Sequence, residues 1–123
     1  MTGEPTVDEL WELVGSWVTL PDVAEAMNLE VTRVRQLVRD GSLIAIRRGE
    51  GEPLSIPADF VGGGQVLKSL PSVLNLLRDA RYTELEMLRW LYTEDDSLPG
   101  SPVQALVENR GTEVKRRAQA LGF

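Results

Sequence analysis

Residues 24–43 read Ala-Glu-Ala-Met-Asn-Leu-Glu-Val-Thr-Arg-Val-Arg-Gln-Leu-Val-Arg-Asp-Gly-Ser-Leu, and the architecture of the N-terminal half can be predicted from this segment. It contains the end of a short helix predicted over residues 21–27, a three-residue turn, and a second helix predicted over residues 31–40. The apolar residues of the second helix form one stripe roughly 120° wide, and arginines occupy the other side. Two short helices with a tight turn between them and a basic second helix are typical of a helix-turn-helix. An ordinary core helix with a solvated arginine face is the alternative.

The residues after the basic helix predict a β-hairpin. Residues 43–48 have the composition of a strand, residues 49–52 (Gly-Glu-Gly-Glu) that of a turn, and residues 53–57 that of a second short strand. We call residues 43–56 the wing, because a hairpin in this place corresponds to the wing of a winged helix-turn-helix. A surface hairpin without function is the alternative.

The helix-turn-helix segment resembles the DNA-binding part of MerR-type and excisionase-like winged helix proteins. The positions that match their pattern are Ala24, Glu25, Met27, Leu29, Val34, Arg35, Gly41 and Leu43. Asn28 stands where those families usually have glycine, and Glu30 where they have a serine or threonine helix cap. The whole chain resembles a family of small actinobacterial winged helix DNA-binding proteins with a helical C-terminal extension. Residues 64–74, 86–93 and 114–120 carry that second resemblance.

The resemblance implies binding to double-stranded DNA, with the basic helix in the major groove and the wing against the backbone. The candidate DNA-contacting residues are polar side chains of the basic helix and the wing, namely Thr32, Arg33, Arg35, Gln36, Arg39, Arg47 and Arg48. We expect Arg35, Gln36 and Arg39 at base edges or adjacent phosphates, because arginine suits guanine and glutamine suits adenine. The other four are expected at phosphates.

The distribution of charge supports this interpretation better than the net charge does. The 123-residue chain has a formal charge of −6, but residues 1–30 carry seven acids and no base. Residues 31–48 carry five arginines against one acid, Asp40. A phosphate backbone responds to the local charge, because salt screens charges beyond about 8–10 Å.

Composition argues against catalysis. The chain has no cysteine and no histidine, which removes thiol chemistry, the usual general base and the commonest metal ligand. We therefore expect no enzymatic activity, no cofactor and no metal. No run of about 18 apolar residues is present and the N-terminus has no signal-peptide pattern, so we expect no membrane partner and a cytoplasmic, nucleoid-associated protein.

Glycines 62–64 mark the predicted boundary between a winged helix-turn-helix domain (1–61) and a C-terminal helical domain (62–123). Helices are predicted at about 66–69, 72–80, 84–92, 102–109 and 112–121, which gives a mainly α protein with a small wing and a C-terminal helical bundle. Trp90 is expected to be buried in that bundle. No heptad run long enough for a dimerising coiled coil occurs, so a monomer is favoured, with a weak dimer on DNA as an alternative.

The sequence thus predicts a sequence-preferring double-stranded DNA-binding protein that acts as a transcriptional regulator. The alternative is a protein-interaction module in which the winged helix is vestigial and a protein partner binds the C-terminal helices. Residues 90–108 are weakly similar to the toxin-binding domain of some antitoxins. The basic run 115–117 is interpreted as a solvated helix face in preference to a second phosphate contact.

Overall fold

The computed structural model describes residues 4–122, and these residues form a mainly helical protein. The elements in chain order are α1 (Val7–Val14), β1 (Trp17–Thr19), α2 (Leu20–Met27), α3 (Val31–Arg39), β2 (Ser55–Pro57), a 3-10 helix (Ala58–Phe60), α4 (Leu70–Asp79), α5 (Glu84–Tyr92), α6 (Pro102–Val107) and α7 (Gly111–Ala120). The predicted mainly α class is confirmed. No helix in residues 4–122 is both long enough and apolar enough to span a membrane.

Threonine caps set where three of the helices begin. Thr6, Thr19 and Thr83 each accept a hydrogen bond from the backbone N–H three residues later, and an acidic side chain there accepts one from the threonine N–H. These reciprocal bonds satisfy N–H groups that have no partner inside the helix. Helices α1, α2 and α5 therefore have starting points fixed by local sequence.

The sheet differs from the predicted hairpin. β2 pairs antiparallel with β1, in the register Trp17↔Pro57 and Thr19↔Ser55, and not with residues 43–48. Residues 43–48 do not form a strand, and the wing is closed by a single bridge between Ile46 and Ser55. The prediction of a regular strand over 43–48 was wrong because the Leu43 N–H donates to the Leu37 carbonyl at 3.3 Å, which ties this residue to the end of α3. Across the wing only Ile46 and Ser55 exchange backbone hydrogen bonds, and Leu43 and Ile44 are fully buried in the core.

One hydrophobic core runs through both parts of the chain. It joins Leu10 of α1, Val23 of α2 and Val34 of α3 to buried side chains of the C-terminal helices, among them Leu74 and Leu88. Helix α1 packs on α5, and α4 packs on α7. The winged helix part therefore shares its core with the C-terminal helices, and the boundary at residue 62 stays a prediction.

Two expectations for the C-terminal half were wrong. Residues 66–69 are not helical; Ser69 has a left-handed φ of 72°, and α4 begins at the next residue. Trp90 is half-buried, because α5 directs Met87, Leu88 and Leu91 into the core and leaves the indole at its edge. Removal of Trp90 should consequently cost less stability than removal of a fully buried aromatic side chain.

Candidate nucleic-acid interface

The turn between α2 and α3 has the geometry that a helix-turn-helix needs. Asn28 ends α2 in the left-handed conformation, with φ 56° and ψ 47°, and Leu29 N–H donates to the Ala24 carbonyl at 2.9 Å. Asparagine adopts this conformation more readily than other residues with a Cβ atom. Asn28 can therefore replace the usual glycine without changing the turn, and α2 packs directly on α3.

Helix α3 has one face in the core and one face in solvent. Val34 is fully buried, and Val31, Leu37 and Val38 are half-buried against the core. The opposite face exposes all five of the predicted contact residues on this helix, namely Thr32, Arg33, Arg35, Gln36 and Arg39. Glu30 precedes the helix and makes no side-chain capping bond. Its carboxylate can thus act on the helix end only through its charge.

The α3 side chains differ in how far they are already engaged. Arg33 Nη1 donates to Gln36 Oε1 at 3.3 Å along the exposed face. Within residues 4–122, the side chains of Arg35 and Arg39 have no hydrogen-bond or ion-pair partner. Two free guanidinium groups, about 40° apart around the helix axis, therefore lie next to each other beside a paired Arg33–Gln36 unit.

The wing arginines, in contrast, are both held by the protein. Arg47 Nη1 donates to the Glu52 carbonyl at 2.7 Å, across the turn of the wing. Arg48 Nε lies 3.6 Å from Asp8 Oδ1, and Arg48 Cζ lies 5.7 Å from the centre of the Trp11 ring. Both arginines remain exposed, but the structure places Arg48 against α1 instead of at a free hairpin tip.

A stacked pair of tryptophans supports the position of Arg48. The rings of Trp11 and Trp17 are 4.2 Å apart with an interplanar angle of 9°, and Trp17 Nε1 donates to the Trp11 carbonyl at 3.2 Å. Trp17 belongs to β1, so this stack links α1, the sheet and the wing. The sequence contains no signal for the contact, because Arg48 and Trp11 are far apart in the chain.

The C-terminal half contacts the end of α3 through Arg78. Gly41 follows the helix with φ 87°, and a Cβ atom at that position would lie 2.6 Å from Arg78 Nη1. The guanidinium of Arg78 therefore lies directly on the Gly41 backbone. The sequence predicts Gly41 as a helix stop, but nothing in it indicates that an α4 arginine needs the same glycine.

The titratable groups with shifted pKa values serve the fold. Burial, with a smaller effect from the neighbouring Asp59 carboxylate, raises the pKa of Tyr92, whose hydroxyl donates to Asp59 Oδ2 at 3.0 Å. Hydrogen bonds from Ser97 lower the pKa of Asp95, and hydrogen bonds from Arg110 and Gln104 lower that of Glu108. No group of acidic side chains in residues 4–122 is arranged to hold a metal ion.

Helix α3 has one face buried in the core and one exposed basic face. A tight turn precedes it and the wing follows it, and this arrangement defines a winged helix-turn-helix. Comparison with known proteins agrees with this class. Residues 5–61 match the family model of the winged helix domain of DNA-binding protein Rv2175c, and residues 67–122 match the model of the Rv2175c C-terminal domain of unknown function. This chain belongs to the Rv2175c family.

A curated relative and a solved structure support the assignment. DNA-binding protein Rv2175c of Mycobacterium tuberculosis is 43% identical over 117 residues, which cover 85% of this chain and 79% of that protein. The NMR structure of Rv2175c superimposes with a TM-score of 0.77 at 38% identity, covering 88% of this chain and 82% of that one. The predicted winged helix fold with its C-terminal helices is thereby confirmed. The matched family is defined by DNA-binding and not by an enzymatic activity. The narrower MerR and excisionase resemblance stays a prediction.

Proposed function

We propose that this protein binds double-stranded DNA with sequence preference and acts as a transcriptional regulator in the cytoplasm, at the nucleoid. The observation that carries the proposal is the exposed, unpaired state of Arg35 and Arg39 on a helix whose other face is fixed in the core by Val34. The relative from Mycobacterium tuberculosis is a DNA-binding protein, which supports the same function.

The dimensions of α3 suit a major groove. An α-helix with its side chains is about 10–12 Å in diameter, so the nine-residue α3 can enter a groove about 12 Å wide with its exposed face toward the bases. Arg35, Gln36 and Arg39 are proposed at base edges, where arginine can donate two hydrogen bonds to guanine and glutamine can bind adenine. Gln36 first has to release Arg33, which becomes free to bind a phosphate.

The remaining candidates are proposed as phosphate contacts. Thr32 and Arg33 lie on the exposed side of the first turns of α3, and Arg47 and Arg48 lie on the wing. Phosphate contacts fix the position of a protein on DNA without reading its sequence. The wing contacts require Arg47 and Arg48 to exchange their present partners for phosphate oxygens.

A protein-interaction function is the second candidate. Leu13 and Val107 are 43% and 54% exposed, and both line an open pocket of about 440 Å³ beside Tyr92. Apolar side chains in such a place favour contact with another protein over contact with DNA. If this is the function, the winged helix need not bind DNA at all.

A gel-shift titration with a pool of random-sequence duplexes at low salt separates the two functions. The DNA-binding proposal predicts a shift with the wild-type protein and a much weaker shift with Arg35→Ala/Arg39→Ala. Arg116→Ala controls for the loss of an exposed positive charge elsewhere, since Arg116 lies on α7 and its side chain has no hydrogen-bond or ion-pair partner in the described part of the chain. Thermal melting by circular dichroism checks that all three proteins fold. No shift with folded wild-type protein would favour the protein-interaction function.

A further inference from the structure

The C-terminal end of α4 meets the C-terminal end of α3. Arg78, in the last turn of α4, places its guanidinium over Gly41, with Nη1, Cζ and Nη2 all within 3.1 Å of where a Cβ atom would be. Gly41 lies two residues after Arg39, the last residue of α3. The surface that bears the α3 arginines therefore continues onto the C-terminal half.

Arg81, just beyond α4, occupies a backbone conformation that favours glycine. Its φ is 70°, its N–H donates to the Arg78 carbonyl at 2.8 Å, and the following Tyr82 N–H donates to the Leu77 carbonyl at 3.0 Å. Glycine is the usual residue at this position of a helix end, because it has no Cβ to strain a left-handed backbone. Strained residues of this kind concentrate at functional sites, where the side chain serves a purpose that glycine cannot.

The Arg81 side chain is also available for a ligand. It is exposed and has no hydrogen-bond or ion-pair partner within residues 4–122. The charged neighbours along the two helix ends are Arg39, Asp40, Arg78 and Asp79. One oxygen of Asp40 is engaged by the Ser42 N–H at 3.1 Å, and with Arg81 this edge carries a net positive charge.

We propose that Arg81 binds a DNA phosphate beside the segment read by α3, so that the DNA-binding surface includes the C-terminal half. Arg78 is a positioning residue in this arrangement: its contact with Gly41 fixes the end of α4, and thus Arg81, relative to α3. The proposal rests on the proposed function. In this arrangement the C-terminal helices contact DNA directly, in addition to sharing a hydrophobic core with the winged helix part.

The test is Arg81→Gly, because stability and DNA binding should then change in opposite directions. Glycine relieves the left-handed strain, so the melting temperature should stay at the wild-type value or rise. Loss of one phosphate contact should flatten the slope of log K against log salt by about 0.9 and weaken all duplexes by a similar factor. Arg81→Lys keeps the charge and should retain most of the salt slope.

A charge control on another helix makes the outcome decisive. Arg116→Ala removes the same charge from α7 and should leave the slope unchanged. The proposal is overturned if Arg81→Gly binds with the wild-type salt slope or if Arg116→Ala reproduces the effect of Arg81→Gly. It is also overturned if Arg81→Gly lowers the melting temperature and Arg81→Lys does not retain the wild-type salt slope. Wild-type binding that depends on Arg35 but not on Arg81 would refute this inference alone, whereas absence of wild-type binding would refute the proposed function with it.

Discussion

Helix α3 and the wing both present arginines to solvent, but they hold them in different ways. Arg35 and Arg39 project from a helix anchored in the core and contact no other side chain through a hydrogen bond or ion pair in the described part of the chain. Arg47 is bound to a carbonyl of its own turn, and Arg48 is bound to Asp8 and the Trp11 ring. The same residue type is thus ready for an outside partner in one region and occupied by the protein in the other.

Because of this difference, we expect α3 and the wing to contribute unequally to DNA binding. A free side chain on a helix fixed in the core breaks no internal contact when it binds, so its hydrogen bonds to base edges can discriminate between bases. A wing arginine must first break an internal contact, and the free energy of that lost contact offsets part of the free energy gained from binding a phosphate. We therefore expect α3 to determine sequence preference and the wing to add a smaller, sequence-independent contribution.

The largest effect is expected from the α3 arginines. Replacing Arg35 or Arg39 by alanine should cost on the order of 1–3 kcal/mol at a preferred duplex, with weaker discrimination against altered base pairs. Titration of fluorescent duplexes measures both quantities, and Arg116→Ala serves as the control. Unchanged affinity in both folded variants would remove the support for α3 as the recognition helix.

The wing should show a different signature in the same titrations. Arg47→Ala/Arg48→Ala should flatten the slope of log K against log salt by roughly 1 to 2, since each phosphate contact contributes about 0.9. Because phosphates carry no sequence information, the order of preferred duplexes should stay the same. A constant slope, or a changed order of preference, is incompatible with a wing that contacts only the backbone.

A weaker effect should follow from release of Arg48. Asp8→Asn removes the ion pair at 3.6 Å and should raise DNA affinity about twofold, because exposed ion pairs are worth roughly 0.2–1 kcal/mol. Glu12→Gln is the matched control, as it removes the same charge from an exposed position of α1 that has no ion pair in the described residues. Equal gains from the two variants would mean that net charge, and not release of Arg48, controls the affinity.

The smallest effect is a pH dependence at the start of α1, which carries Asp8 and Trp11. The Thr6 backbone N–H, and then the Thr6 side chain, hold the pKa of Glu9 below its ordinary value of 4.5. The folded state binds the proton less tightly than the unfolded state, so this stabilisation is complete above about pH 4.5 and is lost as the pH falls through the lowered pKa. Amide exchange at Thr6, whose N–H donates to the Glu9 carboxylate at 2.9 Å, should accelerate at low pH in the wild type, relative to the intrinsic rate, and show no such step in Glu9→Gln. A step of equal size in both proteins would contradict the role of this carboxylate.

Much of the fold could be predicted from local sequence. Helix α3 begins at the predicted residue and ends one residue before the predicted Asp40, because helical periodicity and the Gly41 stop are local signals. The partner of β2 could not be predicted, since the pairing of residues 17–19 with 55–57 depends on tertiary contacts. The burial of Leu43 and Ile44 likewise follows from where the core lies and not from any pattern within the wing.

The candidate site was predictable in its residue types but not in its contacts. In a helix with 3.6 residues per turn, Arg35 and Arg39 lie on a different face from Val34, so the exposed face of α3 can be identified from the sequence. No such periodicity reveals that Trp11 holds Arg48 or that Arg78 covers Gly41, because each contact joins distant parts of the chain. Long-range packing, and not the motif, therefore decides which arginines are free.

Selection of bound sequences from a random duplex pool tests whether α3 determines the sequence that the protein binds. It should be run in parallel with the wild type, Arg35→Ala/Arg39→Ala and Arg47→Ala/Arg48→Ala. We predict that the wild type and the wing variant enrich the same sequence, while the α3 variant enriches none or a degenerate one. No enrichment by the wild type, or the same enriched sequence from the α3 variant, would contradict sequence recognition by α3.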